Sequence, residues 1–396
     1  MTLTSARVPA AVGERRITAT LYGYQFLDDF VLLYPVYALL FADAGLSLWQ
    51  ISSLFALWSL TGVLLEVPSG AWADSVSRRL LLWIGPLLTA VGFALWVILP
   101  SYGAFALGFV LWGARGALGS GALEALVYEE LDRIGAAGRY ARVMGRAHAA
   151  GLAGVMAAMA AAGPVFAWGG YPAVGTASVL ACLLTAATAT RFPEHRRPLA
   201  DDERWAAVLK SGLSAARRDR RLRAAVLLVP AVGAIWGSLD EYTPFLARET
   251  GVPDAFVPYA LLLIWAGATV GGLFAGPAER LGTRGLAALL AGAALALAAG
   301  ALTGRPAGLL LVAVAFGGFQ LATVLADARM QHRIEDTGRA TLTSVAGLGT
   351  EVATVAVYGA YAAIGSMAGH GTVFAVLSVP YLVTALSLTV RARTRE

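Results

Sequence analysis

Residues 191–223 read RFPEHRRPLADDERWAAVLKSGLSAARRDRRLR, and they form the one long polar stretch in a chain of 396 residues. On either side the sequence is a succession of apolar runs separated by short polar turns. A helix needs about 20 apolar residues to cross the roughly 30 Å hydrocarbon core of a bilayer. Runs of about that length lie at 17–42, 49–73, 80–99, 102–127, 147–168 and 171–190 before the polar stretch. Six more lie at 224–246, 256–279, 285–303, 307–328, 341–366 and 371–390. The expected architecture is an all-α polytopic membrane protein of 12 transmembrane helices in two six-helix pseudo-symmetric bundles, residues 1–190 and 224–396, joined by a cytoplasmic linker at 191–223.

Composition agrees. The chain is 58% hydrophobic and 14% charged, with mean hydropathy +0.68, where soluble domains are roughly 25% charged and 45–50% apolar. A soluble enzyme with a single membrane anchor is excluded. Cys182 is the only cysteine, which excludes a disulfide scaffold and a cysteine metal site. The histidines at 148, 195, 332 and 370 have no zinc spacing. No metal, cofactor or catalytic arrangement is expected, and without a Walker A sequence neither is ATP-driven transport. The first sixteen residues lack an adjoining short apolar core with a cleavage site, so no signal peptide is expected.

The basic residues orient the chain. With the N-terminus cytoplasmic, 27 of the 30 Lys and Arg fall on the cytoplasmic side; Arg248 and Arg305 fall outside, and Arg115 lies within a span. This is the positive-inside asymmetry of a multi-pass protein of the cell inner (plasma) membrane with both termini cytoplasmic. It also accounts for the net charge of +5 without nucleic acid. The linker is expected to lie on anionic membrane lipid.

The halves echo each other. Leu27-Asp28-Asp29-Phe30 recurs as Leu239-Asp240-Glu241-Tyr242, an offset of 212. Asp74 to Arg79 is matched by Glu279 to Arg284 at an offset of 205, and Arg133-Ile134 by Arg333-Ile334 at 200. Three matches in register argue for a six-plus-six repeat, whose substrate cavity belongs near the membrane midplane between the halves.

Gly70-Ala71-Trp72-Ala73-Asp74-Ser75-Val76-Ser77-Arg78-Arg79 resembles the loop 2–3 pattern GxLaDrxGrk of the major facilitator superfamily, departing from it at Trp72 and Ser77. The fourth-span run Leu111 to Gly121 is similar to that family's LxxxRxxxGxG. Gly163-Pro164 with Gly169-Gly170 partly resembles the GPxxGG of its antiporters, with four residues where two are usual. LLEVPSGAWAD and SGALEALVYEEL resemble a broad bacterial branch. The resemblance covers the whole chain and points toward bacterial drug and metabolite proton antiporters. It implies a gating role for Gly70, Asp74, Arg78, Arg79, Gly163 and Pro164, the loop latching the halves on the cytoplasmic side.

Ionisable groups inside a bilayer are costly, so each is a functional candidate: Asp28, Asp29, Glu66, Arg115, Glu124, Asp240, Glu241, Asp327 and Glu351. Arg115 cannot shed its proton and needs an acidic partner. Glu124, nine residues on, would lie on the opposite face of a continuous helix at about 100° per residue. Asp28 or Asp29, at comparable depth, is the better partner. These neighbours diverge by about 100°, so one of them faces the cavity; Asp29 shares a face with Gln25, Tyr22 and Phe26. Three roles stay open for the aspartate: proton exchange, a permanent packing pair with Arg115, and recognition of a cationic substrate.

Asp240 and Glu241 are candidates for coupling or substrate contact, or are simply hydrated near the outer end, since Pro244 and Arg248 follow. The hydrated alternative is slightly favoured. Glu351 lies well inside its span with no local cation and is a candidate proton-carrying or substrate-facing carboxyl. Glu66 reads as a local cap or gate contact, and Asp327 and Arg329 as partners of loop residues. Tyr22, Tyr24, Phe26, Tyr34, Tyr37, Trp58, Trp112, Trp236 and Trp265 are each explained by packing, but together could contact a drug-like molecule.

The expected function is secondary active transport, with proton-coupled export of small hydrophobic or cationic compounds by alternating access. Its alternatives are proton-coupled uptake of a metabolite or organic anion through Arg115, or a non-transporting membrane sensor on the same scaffold. The expected partners are a small-molecule substrate, protons and lipid, with the protein a monomer and no enzyme.

Overall fold

The Leu-Asp-acidic echo marks a structural feature: a helix stops there in both halves. In the computed structural model α1 runs Ala10–Asp28 and α8 runs Arg220–Asp240. Each is followed by a short second helix, α2 (Tyr37–Asp43) and α9 (Thr243–Glu249). The structure describes residues 10–75, 77–119, 121–195, 220–332 and 339–393, and among them no strand occurs. Sequence periodicity carried the first and seventh spans through these points as single helices, because the apolar pattern continues across the breaks.

The remaining long helices are α3 (Leu48–Ser75), α4 (Arg78–Ile98), α5 (Tyr102–Gly119), α6 (Ala122–Arg133) and α7 (Tyr140–Ala189) in the first half. After α9 come α10 (Val257–Leu273), α11 (Thr283–Leu302), α12 (Gly308–Gln331), α13 (Arg339–Gly365) and α14 (His370–Arg393). Among the described residues eight helical stretches are long and apolar enough to cross a membrane. The repeat extends to helix starts: α4 at Arg78 and α11 at Thr283 stand 205 residues apart, the offset of the sequence echo.

Local chemistry sets several boundaries. Ser47 and Gln50 form a capping box before α3: the Ser47 N–H donates to the Gln50 side chain at 2.9 Å, and the Gln50 N–H to the Ser47 hydroxyl at 3.3 Å. Ser77 caps α4 by accepting from the Leu80 N–H at 3.1 Å. Gly121, at φ 71°, separates α5 from α6; a side chain there would strain the backbone.

The chain divides into two compact units, Met1–Tyr34 with Leu60–Asp201, and Pro35–Ser59 with Asp202–Glu396. In the first, α7 is 50 residues long with non-helical backbone at Gly169 and Gly170. A straight helix of that length would span about 75 Å, far more than a ~30 Å hydrocarbon core. It folds back instead. A Cβ on Gly154 would strike the Phe26 carbonyl of α1, while Thr188, at the far end of α7, lies against Gly23 of the same helix. Both arms of α7 therefore flank α1, as the separate fifth and sixth spans of the sequence pattern require. The α4–α5 hairpin is locked by fully buried Trp96, whose Nε1–H donates to the Phe105 carbonyl at 3.2 Å. The first turns are tied by Arg139, which donates to Glu14 at 2.5 Å and holds that carboxyl below its ordinary value.

In the second unit, glycines bring α10 and α12 into backbone contact. A Cβ on Gly267 would strike the Ala313 carbonyl, and one on Gly271 the Gly317 carbonyl. Lipid offers no hydrophobic drive for helix association, so such close van der Waals packing holds helices together. Gly271→Val is therefore expected to destabilise detergent-purified protein by ~1–3 kcal/mol through overpacking. Gly276→Ala, which adds a methyl group in open space, is expected to leave the melting temperature unchanged. Equal melting temperatures for the two variants would contradict this packing.

Candidate functional site

Arg115 finds its partner in Asp28, to which its guanidinium donates. Asp28 is the last residue of α1, and its carboxylate meets Arg115 in the last turns of α5, which ends at Gly119. Gly85 of α4 makes room: a Cβ there would lie 3.0 Å from the Arg115 Cγ. A side chain at this position on α4 would press on the stem of Arg115.

The pair lines a cavity of about 340 Å³ inside the first unit, together with Tyr24, Gln25, Pro86 and Glu124. Two charged groups in a polar recess among apolar helices are the arrangement by which ionisable residues are tolerated in a bilayer. Asp29 lies outside this lining. Its carboxylate is set against Gly151 of α7, where a Cβ would strike it. The adjacent aspartates diverge as helix geometry requires, but Asp28 faces the cavity with Gln25, whereas the sequence pattern had placed Gln25 with Asp29.

Glu124 corrects the helical-wheel argument. Counting 100° per residue from Arg115 assumed one helix through both positions. The helix ends at Gly119, and left-handed Gly121 starts another, which turns Glu124 onto the cavity that Arg115 lines. Gly119-Ser120-Gly121 was the available signal, because paired glycines punctuate a helix.

The other candidates lie elsewhere. Tyr22 packs against the buried cluster around Leu21 and Leu126. Phe26 stacks on Phe30 with ring centroids 5.7 Å apart. Trp112 sits in an aromatic cluster between α4 and α5, 5.3 Å from Phe93 and 6.1 Å from Phe109. These contacts match the packing explanation for each ring.

Within the second unit, Asp240 accepts from the Trp265 indole at 3.1 Å, and Glu241 accepts from the Tyr37 hydroxyl on α2. Glu241 is 9% exposed, so the hydrated alternative does not describe it; it stands in the short turn between α8 and α9. Tyr37 as its donor was not legible, since 204 residues separate them. Glu351 on α13 accepts from the Ser59 hydroxyl. Trp236 donates from its indole to Thr323 at 3.1 Å and packs edge-on against Phe316. Arg329 donates to the Leu281 carbonyl at 2.6 Å, a loop contact as expected.

Of the loop residues assigned to gating, Arg78 pairs with Glu129 at 2.6 Å and its backbone N–H donates to Glu194 at 2.7 Å. Arg79 donates to the Phe192 carbonyl at 3.4 Å. The loop thus grips the first residues after α7, a contact that sequence spacing could not supply. The side chains of Glu66, Gly70 and Asp74 lie outside the described residues. Gly163 and Pro164 lie inside the first arm of α7, five residues before its break begins.

Residues 19–357 match the Major Facilitator Superfamily. No curated protein matches the sequence. Among solved structures, a point variant of the nucleoside transporter NupG superposes with a TM-score of 0.77 at 14% identity, over 94% of this chain and 99% of that one. An auto-inhibited POT family peptide transporter gives 0.71 at 14% identity, over 96% and 97%. A bacterial homolog of the human lysosomal transporter Spinster, inward-facing and unoccupied, gives 0.67 at 15% identity, over 98% and 96%. Identities this low carry the fold alone. The family match spans most of the chain and includes Asp28 and Arg115, and the protein belongs to the Major Facilitator Superfamily of membrane transporters.

Proposed function

We propose that the protein is a proton-coupled exporter of small hydrophobic or cationic compounds working by alternating access. The observation that carries this is the Asp28–Arg115 pair lining an intramembrane cavity at a helix break. A carboxylate in such a recess can hold a guanidinium, a proton or a substrate cation, and these compete. That competition is what an exchanger needs: proton binding from one side favours release of substrate, and substrate binding favours release of the proton. Asp28 is the coupling carboxyl and Arg115 its resting partner, with Gln25 at the substrate's edge. Glu351, held by Ser59, is a second carboxyl available for coupling, and Asp240, Glu241 and Trp236 are the second unit's own candidates for substrate contact.

Uptake of an organic anion through Arg115 is less well supported, because Asp28 already occupies the guanidinium. A sensor on the same scaffold would not need this pair at all. The rest of the proposal follows the sequence: 12 transmembrane helices in two bundles, 1–190 and 224–396, in the plasma membrane. Both termini are cytoplasmic, the linker at 191–223 lies on lipid, and the protein works as a monomer. The fold-back of α7 supports the even count of crossings, and the Lys and Arg distribution supports the orientation. The loop around Arg78 and Arg79, with Gly70 and Asp74, acts as the cytoplasmic latch, and Gly163-Pro164 shapes the arm that moves past α1.

In everted vesicles with an acidic lumen, ethidium should accumulate, collapse with a protonophore, and fail to accumulate with Asp28→Asn. No gradient-driven movement of any compound in a panel of cations, neutral drugs and organic anions would contradict the proposal. An unaltered cellular phenotype in Asp28→Asn and Arg115→Ala, with loss on altering 191–223, would favour the sensor.

The pair also makes a stability prediction. Breaking a buried ion pair by removing one partner costs ~3–5 kcal/mol, and these side chains are 14% and 25% exposed, which places the cost near the lower end. Asp28→Asn and Arg115→Leu should each lower thermal stability in detergent, and the double variant should lose less than their sum. Strict additivity would mean that the two groups do not interact.

A further inference from the structure

The lining of the first unit's cavity has an unbalanced charge. Asp28 and Arg115 neutralise each other, while Glu124 faces the same space. Among the described residues Glu124 forms no ion pair. The net charge of the lining therefore rests on Glu124. Leu81, Leu82, Pro86 and Leu123 give the cavity an apolar wall, and Tyr24 and Gln25 add a ring and an amide. An apolar wall with one uncompensated carboxylate suits an organic cation carrying a single charge and an apolar body. The volume of about 340 Å³ is near the lower limit of ligand cavities, roughly 300–1,000 Å³, which suits a molecule of one ring system.

We propose that Glu124 is the specificity-determining residue that makes this cavity prefer organic cations. The proposal rests on the transport reading above and deepens it, assigning charge selection to Glu124 and proton exchange to Asp28. The division follows from geometry. Asp28 is engaged by Arg115, whereas Glu124 reaches the cavity from the first turn of α6, just beyond the break at Gly121. An acidic residue in a first helical turn also stabilises the helix. That role alone would make Glu124→Gln affect stability without changing which ligands bind.

Calorimetric titration of the purified full-length protein separates the two roles. Benzyltrimethylammonium carries a fixed charge that no proton exchange alters, and N-benzylacetamide is a neutral compound of similar size. Wild-type protein should prefer the ammonium compound. Glu124→Gln should weaken its binding by about tenfold or more, near 1.4 kcal/mol, while changing the amide's affinity by less than about twofold. Glu124→Asp should keep the preference. Three results would overturn the proposal: wild-type protein that does not distinguish the compounds, Glu124→Gln with unchanged cation affinity, or Glu124→Gln with both affinities lowered equally. Its failure is distinguishable from failure of the transport reading. Cation preference without ethidium flux in vesicles would contradict transport alone, and flux without the preference would contradict only the role of Glu124.

Discussion

A guanidinium keeps its proton under any condition a cell meets, and this protein places one in the last turns of an apolar helix. Where that charge goes constrains everything around it. Arg115 requires an acidic group beside it, and the group that meets it is Asp28, the last residue of α1. Its stem requires space on α4, which Gly85 leaves. Polar backbone freed by the end of a helix is tolerable at membrane depth only beside protein or a cavity. The ion pair, the end of α1 and the cavity thus meet at one place in the first unit.

The second half repeats the device with different partners. α8 ends at Asp240, and the carboxylates there are met by an indole and a phenol, from Trp265 and Tyr37. Duplicated transporters use broken helices in this way, with the freed ends turned toward what they bind. The first half balances carboxylate against guanidinium; the second satisfies carboxylates with neutral donors.

Much of this was legible in the sequence because membrane insertion imposes coarse rules. Apolar runs read directly as helices, and the repeat in register paired the ends of α1 and α8 and the starts of α4 and α11. The requirement of Arg115 for an acidic partner is electrostatic and needs no coordinates, so the choice narrowed to two adjacent residues. What could not be read were effects of local backbone geometry. A wheel drawn through Gly121 put Glu124 on the wrong face, and the apolar pattern ran unbroken through the ends of α1 and α8. Glu241 looked hydrated because Pro244 and Arg248 place it near the end of its span, while its partner Tyr37 is distant in the chain. Trp112 looked like a cavity aromatic, but its neighbours across the α4–α5 hairpin decide its surroundings.

The central claim is that Asp28 exchanges a proton for substrate beside Arg115. It is tested most directly by following the pH of a weakly buffered solution of purified protein as ethidium is added. The account predicts that at acidic pH, where a proton displaces Arg115 from Asp28, ethidium binding releases protons from wild-type protein, and that Asp28→Asn abolishes this release. Saturable ethidium binding by wild-type protein with no proton release, from neutral down to acidic pH, would contradict it.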